Sequence, residues 1–193
     1  EEYSLADNAD KLEVVVTLGG ASVLNTEGAF TITGDGNYTY ANSVLTVKNG
    51  ADITISMATS EAKTSDRIVV DANAAATITL NGVSIAAPDG QPAIDLSSGG
   101  KLTLNLANGS TNTLTGAAGE TSPGAPGIHV PTDAALLIQG AGSLNVAGGA
   151  SDSSYGGAGI GGNASYIGVG EACGTVLILT TGTTEIKGGA GSS

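Results

Sequence analysis

The sequence predicts an all-β protein, a parallel β-helix of about five to six coils with an N-terminal cap. Residues 127–150 and 159–190 carry two copies of one pattern, which align without a gap from Ala135 and Thr175 onward. Short runs in both copies alternate apolar and polar residues, which is typical of β-strands. No long run in the chain has helical periodicity. A repeat of short alternating runs separated by glycine indicates a solenoid.

Each repeat unit opens with an isoleucine, and two further strands follow it. The four openings, Ile68, Ile94, Ile128 and Ile160, are 26, 34 and 32 residues apart. We expect Ile94, Ile128 and Ile160 to stack as a buried ladder, because neighbouring strands lie about 4.8 Å apart. The second and third runs of the four units are 77–80 and 83–85, 102–106 and 112–114, 136–138 and 144–146, and 176–179 and 184–186.

The beginning of the chain repeats least. Residues 1–25 predict an N-terminal strand and cap, and residues 26–193 predict the β-helix itself. A cap is expected because an open end of a solenoid presents unpaired backbone. Asn-Gly and Asp-Gly dipeptides favour coil corners, with hairpins near the N-terminus as the alternative. The chain begins without Met and ends in a glycine-rich run, so we expect a mature piece of a longer secreted protein.

The composition fits a narrow aliphatic interior. Hydrophobic residues make up 40% of the chain and aromatic residues 3%, while 31 glycines suit tight corners. A net charge of −12 argues against nucleic acid and anionic membranes as partners. No apolar stretch approaches the roughly 18 residues of a membrane span. The single cysteine, Cys173, allows no internal disulfide and no zinc motif, and we expect it to be buried.

The repeats also carry a family resemblance. The runs NTLTG (112–116), GIHVPTDAALLIQGAGSLNVAGG (127–149), GAGIGG (157–162) and GTVLILTTGTTEIKGG (174–189) resemble those of secreted bacterial surface proteins. The resemblance covers roughly residues 67–190. It implies a right-handed, pectin-lyase-like β-helix, and some similar proteins are carbohydrate-binding domains. It implies no catalytic residues, because the shared motif is structural.

Two groups of residues are candidates for ligand binding. Asp95 and His129 follow the inward isoleucines of neighbouring units, so we expect them to be adjacent on the outer face. Tyr155 and Tyr166 lie in the loops on either side of GAGIGG, and tyrosine can stack on sugar rings. We predict that a glycan or protein ligand contacts this end of the chain. The remaining candidates, as hydrogen-bond acceptors, are Asp152 and Glu171.

These observations favour a non-catalytic secreted or cell-surface module of a bacterium that binds carbohydrate or acts in adhesion. The partners would be a polysaccharide, or a glycan or protein on a cell surface. A polysaccharide lyase or glycoside hydrolase is the alternative, although the predicted Asp95–His129 column contains no second carboxylate. An ice-binding solenoid with outward threonines is a remote alternative. We expect no cofactor; calcium at turns rich in Asp and Asn is the alternative.

Overall fold

The computed structural model describes residues 23–59, 63–120, 122–152, 155–167 and 169–192. Within these ranges the chain forms seventeen β-strands and no helix, which confirms the all-β class. No helix of this part of the chain could span a membrane. In chain order the strands are β1 Val23–Glu27, β2 Phe30–Gly34, β3 Tyr38–Ala41, β4 Val44–Val47, β5 Asp52–Met57, β6 Arg67–Val70, β7 Ala75–Asn81, β8 Ser84–Ala86, β9 Ile94–Leu96, β10 Lys101–Leu106, β11 Thr111–Thr115, β12 Ile128–His129, β13 Ala135–Gly140, β14 Ser143–Ala147, β15 Ile160–Gly161, β16 Thr175–Thr180 and β17 Thr184–Lys187.

The strands form three sheets. The seven-stranded sheet has the order β1-β2-β5-β7-β10-β13-β16, and the six-stranded sheet has the order β15-β12-β9-β6-β4-β3. The four-stranded sheet has the order β17-β14-β11-β8. From β6 onward, each repeat unit contributes one strand to each sheet. The three runs predicted for each unit are therefore three strands in three different sheets.

Equivalent strands of successive units pair in parallel and in the predicted register. Ala135 pairs with Thr175, and the pairing continues without a gap to the end of both strands. In the six-stranded sheet Ile128 pairs with Ile94 on one side and Ile160 on the other. Ile94 and Ile128 are fully buried, and Ile160 is partly buried against the same core. The stacking of the three isoleucines is confirmed, with full burial at Ile94 and Ile128 and partial burial at Ile160.

The prediction of a right-handed parallel β-helix of five to six coils is wrong. Two of the three sheets mix parallel and antiparallel pairs, and the sheets do not make up a single closed solenoid in the described residues. The antiparallel pairs are β1 with β2, β2 with β5, and β3 with β4. The predicted cap falls mostly on residues 1–22, which lie outside the described residues.

Two of the three antiparallel pairs arise from tight turns near the N-terminus. β3 and β4 are joined by Asn42 and Ser43, whose φ angles are 51° and 60°. A two-residue loop with two positive φ angles suits the right-handed twist of a hairpin. β1 and β2 are joined by a two-residue loop that starts with Gly28, at φ 56°. Both turns reverse the chain within a sheet, whereas a coil corner would pass it to the next sheet.

Aliphatic side chains between the sheets form the core. Inward positions alternate with outward ones in most of the parallel strands, as in β10, where Leu102, Leu104 and Leu106 are buried. The fully buried side chains come from all three sheets, so one core extends through the repeat units. Alternation of this kind determines which residues reach the outer face.

Paired glycines mark the corner that follows the four-stranded sheet. A Cβ added at Gly149 would collide with the backbone carbonyl of Ala117 in the preceding unit. A Cβ added at Gly189 would collide with the carbonyl of Gly149. Successive units therefore approach each other here at a distance that only glycine allows. This contact explains why Gly-Gly recurs in the repeat.

The last unit is the most exposed. Leu177, Ile178 and Leu179 of β16 are all exposed, although Ile178 pairs with the buried Ile138 of β13. Only one neighbouring strand covers β16, because it is the edge of its sheet. Cys173, just before β16, is exposed as well, so the expectation of a buried cysteine is wrong.

Candidate functional site

A cluster of polar side chains lies on the outer face of the six-stranded sheet. His129 of β12 is between two carboxylates: its Nδ1 is 2.7 Å from Asp95 Oδ1, and its Nε2 is 2.8 Å from Glu171 Oε2. Arg67 of β6 donates to the other oxygen of Asp95 at 3.4 Å. With Asn163, described below, these residues make up the polar cluster.

Strand register accounts for the half of the cluster that lies on the sheet. His129 pairs directly with Asp95, and Asp95 pairs with Val69 of β6. The preceding residues of β9 and β12, Ile94 and Ile128, point into the core, so Asp95 and His129 must point outward. The predicted adjacency of Asp95 and His129 is confirmed.

Residues 163–167 and 169–172, here called the clamp loop, supply the other half. The backbone N–H of Glu171 donates to the carbonyl of Asn163 at 2.8 Å, which closes the base of the loop. The Glu171 Oε2 atom accepts from the backbone and side-chain amides of Asn163, both at 3.2 Å. Asn163 Nδ2 also lies 3.1 Å from His129 Nε2. Both ends of the clamp loop therefore meet at the histidine ring.

The loop is also tied to the segment after β12. Thr132 Oγ1 donates to the carbonyl of Ala172 at 3.1 Å, and the Gly174 N–H donates to the carbonyl of Val130 at 3.1 Å. Pro131 and Cys173 form an isolated antiparallel bridge. These contacts fix where the chain leaves the clamp loop and enters β16.

The cluster shifts the ionisation of all three titrating groups. Burial alone would lower the pKa of His129, but hydrogen bonds to Asp95 and Glu171 and their negative charges raise it above its ordinary 6.5. Burial alone would raise the pKa of Asp95 and of Glu171, but their interactions with His129 keep both below the ordinary values. Arg67 also lowers the pKa of Asp95, and Asn163 that of Glu171. The arrangement favours an imidazolium between two carboxylates.

The outer part of the clamp loop exposes large side chains. Tyr166 is 68% exposed, and Ile167 and Val169 are exposed to a similar or greater extent. A tyrosine ring and two aliphatic side chains therefore lie on the same short loop as Asn163 and Glu171. Such a surface offers both an apolar face and hydrogen-bonding groups.

The structure brings together three of the six predicted site residues. Asp95, His129 and Glu171 meet in the polar cluster, and Tyr166 is on the loop that Glu171 closes. Asp152 and Tyr155 lie before β15, where the Asp152 N–H donates to Gly119 at 3.4 Å and the Tyr155 carbonyl accepts from Gly124 at 2.9 Å. The predicted joint site for both tyrosines stays a prediction.

Sequence reasoning missed Arg67 and Asn163. Arg67 is an outward residue two positions before Val69, diagonally across from Asp95, so strand alternation could have identified it. Asn163 follows the last glycine of GAGIGG and lies in an irregular loop. No spacing in the sequence relates Asn163 to His129.

A second concave surface lies on the seven-stranded sheet. A groove of about 520 Å³ crosses five parallel strands, from β5 to β16. One row of its lining side chains lies in register across all five strands: Asp52, Thr77, Thr103, Leu137 and Leu177. Its volume is within the range of ligand sites, but its lining contains no aromatic residue.

The described residues contain no group of three or more His, Cys, Asp or Glu side chains that could hold a metal ion. Calcium was the alternative considered from the sequence, and the described part of the chain shows no such ligand group for it. The polar cluster itself has two carboxylates and one imidazole, and both ring nitrogens are already hydrogen-bonded.

Comparison with known proteins identifies a family. The model of a family described as carbohydrate-binding domain-containing protein matches residues 62–161, about half of the chain. The chain belongs to this family, and the carbohydrate-binding part of the sequence resemblance is confirmed. No curated protein and no solved structure matches the chain. The matched segment contains Asp95 and His129 and ends before the clamp loop.

Proposed function

We propose that this chain is a non-catalytic module that binds carbohydrate through the clamp loop. The observation that carries the proposal is an exposed tyrosine, Tyr166, on a loop whose ends are hydrogen-bonded to His129 of the sheet. The family match supplies the ligand class. Recognition residues are commonly placed on loops that a rigid scaffold positions.

The chemistry of the loop suits a sugar. A sugar ring presents an apolar face of C–H groups and an edge of hydroxyls. The Tyr166 ring can stack on the face while its hydroxyl stays in water. The described hydrogen bonds of the Glu171 side chain all use Oε2, so Oε1 can accept from a sugar hydroxyl. Because the loop is already hydrogen-bonded to the sheet, less ordering is needed on binding.

The proposed site is tested by removing the rings. The double variant Tyr155→Ala, Tyr166→Ala should weaken binding to a polysaccharide from the panel pectin, xylan, alginate and β-glucan by about 1–3 kcal/mol. The melting temperature should stay unchanged, because both side chains are exposed. Isothermal titration calorimetry on the two single variants separates their contributions. We expect Tyr166→Ala to account for most of the loss.

Leu24→Ala is the matched control, since Leu24 on β1 is as exposed as Tyr166. It should bind like wild type. The groove on the seven-stranded sheet is the competing binding surface. Thr103 lies on its middle strand, so Thr103→Trp would fill the groove at its centre. Full affinity in the double tyrosine variant, together with loss in Thr103→Trp, would move the site from the clamp loop to the groove.

The cluster geometry supports binding over catalysis. A glycoside hydrolase needs two carboxylates that flank the bond to be cleaved, about 5–9.5 Å apart. The cluster does contain two carboxylates, Asp95 and Glu171, and Glu171 was not foreseen as the partner of Asp95. The imidazole of His129, however, occupies the space between them and binds both. A sugar could not enter that space without displacing the ring.

The proposal extends to location. We propose that the protein is secreted or displayed on a bacterial cell surface, where it would bind polysaccharide or mediate adhesion. Its strongly acidic composition supports a solvated extracellular domain that does not bind anionic surfaces. Fractionation of the producing cells, followed by immunodetection in the medium and on intact cells, tests this part.

A further inference from the structure

His129 lies within hydrogen-bond distance of two carboxylates, and the two hydrogen bonds together require two protons on the ring. A neutral imidazole has one N–H and can donate to one carboxylate. An imidazolium has two N–H groups and can donate to Asp95 and Glu171 together. The two ring nitrogens lie 2.7 and 2.8 Å from carboxylate oxygens, so both carboxylate contacts are hydrogen bonds only when the ring is an imidazolium.

Loss of one proton affects the two sides of the ring unequally. Asp95 is on a neighbouring strand, paired in register with His129, and Arg67 bonds its other oxygen. Glu171 is on the clamp loop. If the neutral ring keeps its N–H toward Asp95, Nε2 presents a lone pair to the Glu171 carboxylate. The Glu171 contact then becomes repulsive, and the ring holds the loop only through Asn163, whose Nδ2 can donate to Nε2. The contact within the sheet persists.

The charged and titratable groups that face the ring are few. Asp95 faces it from β9, with Arg67 of β6 behind that carboxylate, and Glu171 faces it from the clamp loop. On the remaining side β15 contributes Gly161, which pairs with His129 and has no side chain. The amide of Asn163 is the neutral group at Nε2. His129 is also the only histidine of the chain.

We propose that His129 is a positioning residue that holds the clamp loop on the six-stranded sheet while its ring is protonated, so that carbohydrate binding weakens as the pH rises. This inference rests on the proposed function for its effect on binding, but the movement of the loop does not depend on any ligand. The ligand class is the carbohydrate already proposed, and the new element is control of the loop by one proton.

The direction of the pH effect follows from linkage. The closed loop raises the pKa of His129, so the contribution of His129 to closure is fully present below its ordinary 6.5 and is lost as pH rises through the raised value. Closure also lowers the pKa of Glu171, so its contribution is lost only as pH falls below the ordinary 4.5. The loop is held best between these limits. For each pKa unit by which Glu171 raises the pKa of His129, the equilibrium constant for loop closure falls about tenfold when the ring loses its proton.

The experiment combines two measurements on the ligand-free protein. NMR of the single imidazole gives the pKa of His129, and hydrogen–deuterium exchange of residues 163–172, corrected for intrinsic rates, gives loop protection. Both are followed from about pH 5 to about pH 8. In the wild-type protein His129 should titrate above pH 6.5, and loop protection should be lost with a midpoint at the pKa of His129.

Two variants separate positioning from general stability. His129→Gln should show loop protection that does not change with pH. Glu171→Gln should lower the pKa of His129 and keep the loop protected to higher pH, because the new amide can donate to a neutral Nε2. The same protection profile in wild type and Glu171→Gln, or constant protection in wild type across the range, would overturn the proposal.

A third measurement keeps this inference distinct from the proposed function. Sedimentation with insoluble forms of the same four polysaccharides at the two ends of the pH range should show weaker binding at the upper end for wild type. If none of them binds while loop protection still follows the His129 titration, the proposed function fails and the control of the loop stands.

Discussion

Asn112 of β11 is completely buried, at a position where the neighbouring unit has Leu144. Its Oδ1 accepts from the backbone N–H groups of Gly82 and Val83, at 3.0 and 2.9 Å. Its Nδ2 donates to Ser110 Oγ and to the carbonyl of Ser143. The amide thus joins three successive repeat units through one buried side chain, and each polar atom is satisfied.

This network predicts the effect of replacing the amide. Asn112→Leu matches the residue of the next unit in size and polarity, yet it leaves the buried N–H of Val83 and the part-buried N–H of Gly82 without their acceptor. We expect a loss of about 1–3 kcal/mol in the free energy of unfolding, which is the cost of an unsatisfied buried donor. Urea denaturation followed by circular dichroism measures it.

Thr111→Val serves as the control, since Thr111 is the exposed residue next to Asn112. Its unfolding midpoint should change little. If Asn112→Leu were as stable as wild type, the amide would be replaceable by apolar packing, and the network would have no net stabilising role.

For individual residues, the sequence predicted which side chains are adjacent only where both residues lie on paired strands. Asp95 and His129 could be paired in advance, because both follow an inward isoleucine in consecutive units. Glu171 could not be placed beside them, since the clamp loop has no repeat that fixes its path. The hydrogen-bond partners of Asn112 were similarly unforeseeable, because strand alternation gives its inward position but not which polar groups its amide reaches.

Strand β12 has only two residues, but it carries both the core contact and the site. Ile128 is fully buried between Ile94 and Ile160, and His129 faces outward. Replacing Ile128 by Asp would bury an unpaired charge and should unfold the domain. Circular dichroism during thermal melting detects this as loss of the cooperative transition.

Leu179→Asp provides the comparison for Ile128→Asp. Leu179 is an exposed residue of β16, so the same change in chemistry should leave the melting transition close to that of wild type. A cooperative transition in Ile128→Asp at the wild-type temperature would contradict the core position assigned to Ile128.

The elements show why the fold was predicted only in part. From β6 onward the repeat itself fixes the register, so the alignment of Ala135 with Thr175 gave the correct pairing of β13 with β16. Before β6 there is no repeat to follow. There the direction of each strand depends on turns such as Asn42-Ser43, whose left-handed backbone is not evident from these residue types.

For the whole molecule, the test of function is the absence of turnover. The purified domain should release neither reducing sugar nor unsaturated product from pectin, xylan, alginate or β-glucan. The physical reason is that the two carboxylates of the cluster are bound to one imidazole. Reducing-sugar assays and absorbance of unsaturated uronates measure the two kinds of product.

Asp95→Asn and His129→Ala are the decisive variants for this prediction. Turnover by wild type that either variant abolishes would show that the cluster is an active site and that the protein is an enzyme. A trace activity that both variants retain would point to a contaminating enzyme, and the binding function would remain.

The contact at Gly149 and Gly189 has a consequence for how such sequences can diverge. Any other residue at these corners would separate neighbouring units, so substitutions there should be eliminated by selection. In the described part of the clamp loop the tip residues Tyr166, Ile167 and Val169 are exposed, so no such contact restricts them. Natural variants can therefore exchange the tip freely and change which sugars they recognise, while they inherit the corner glycines unaltered.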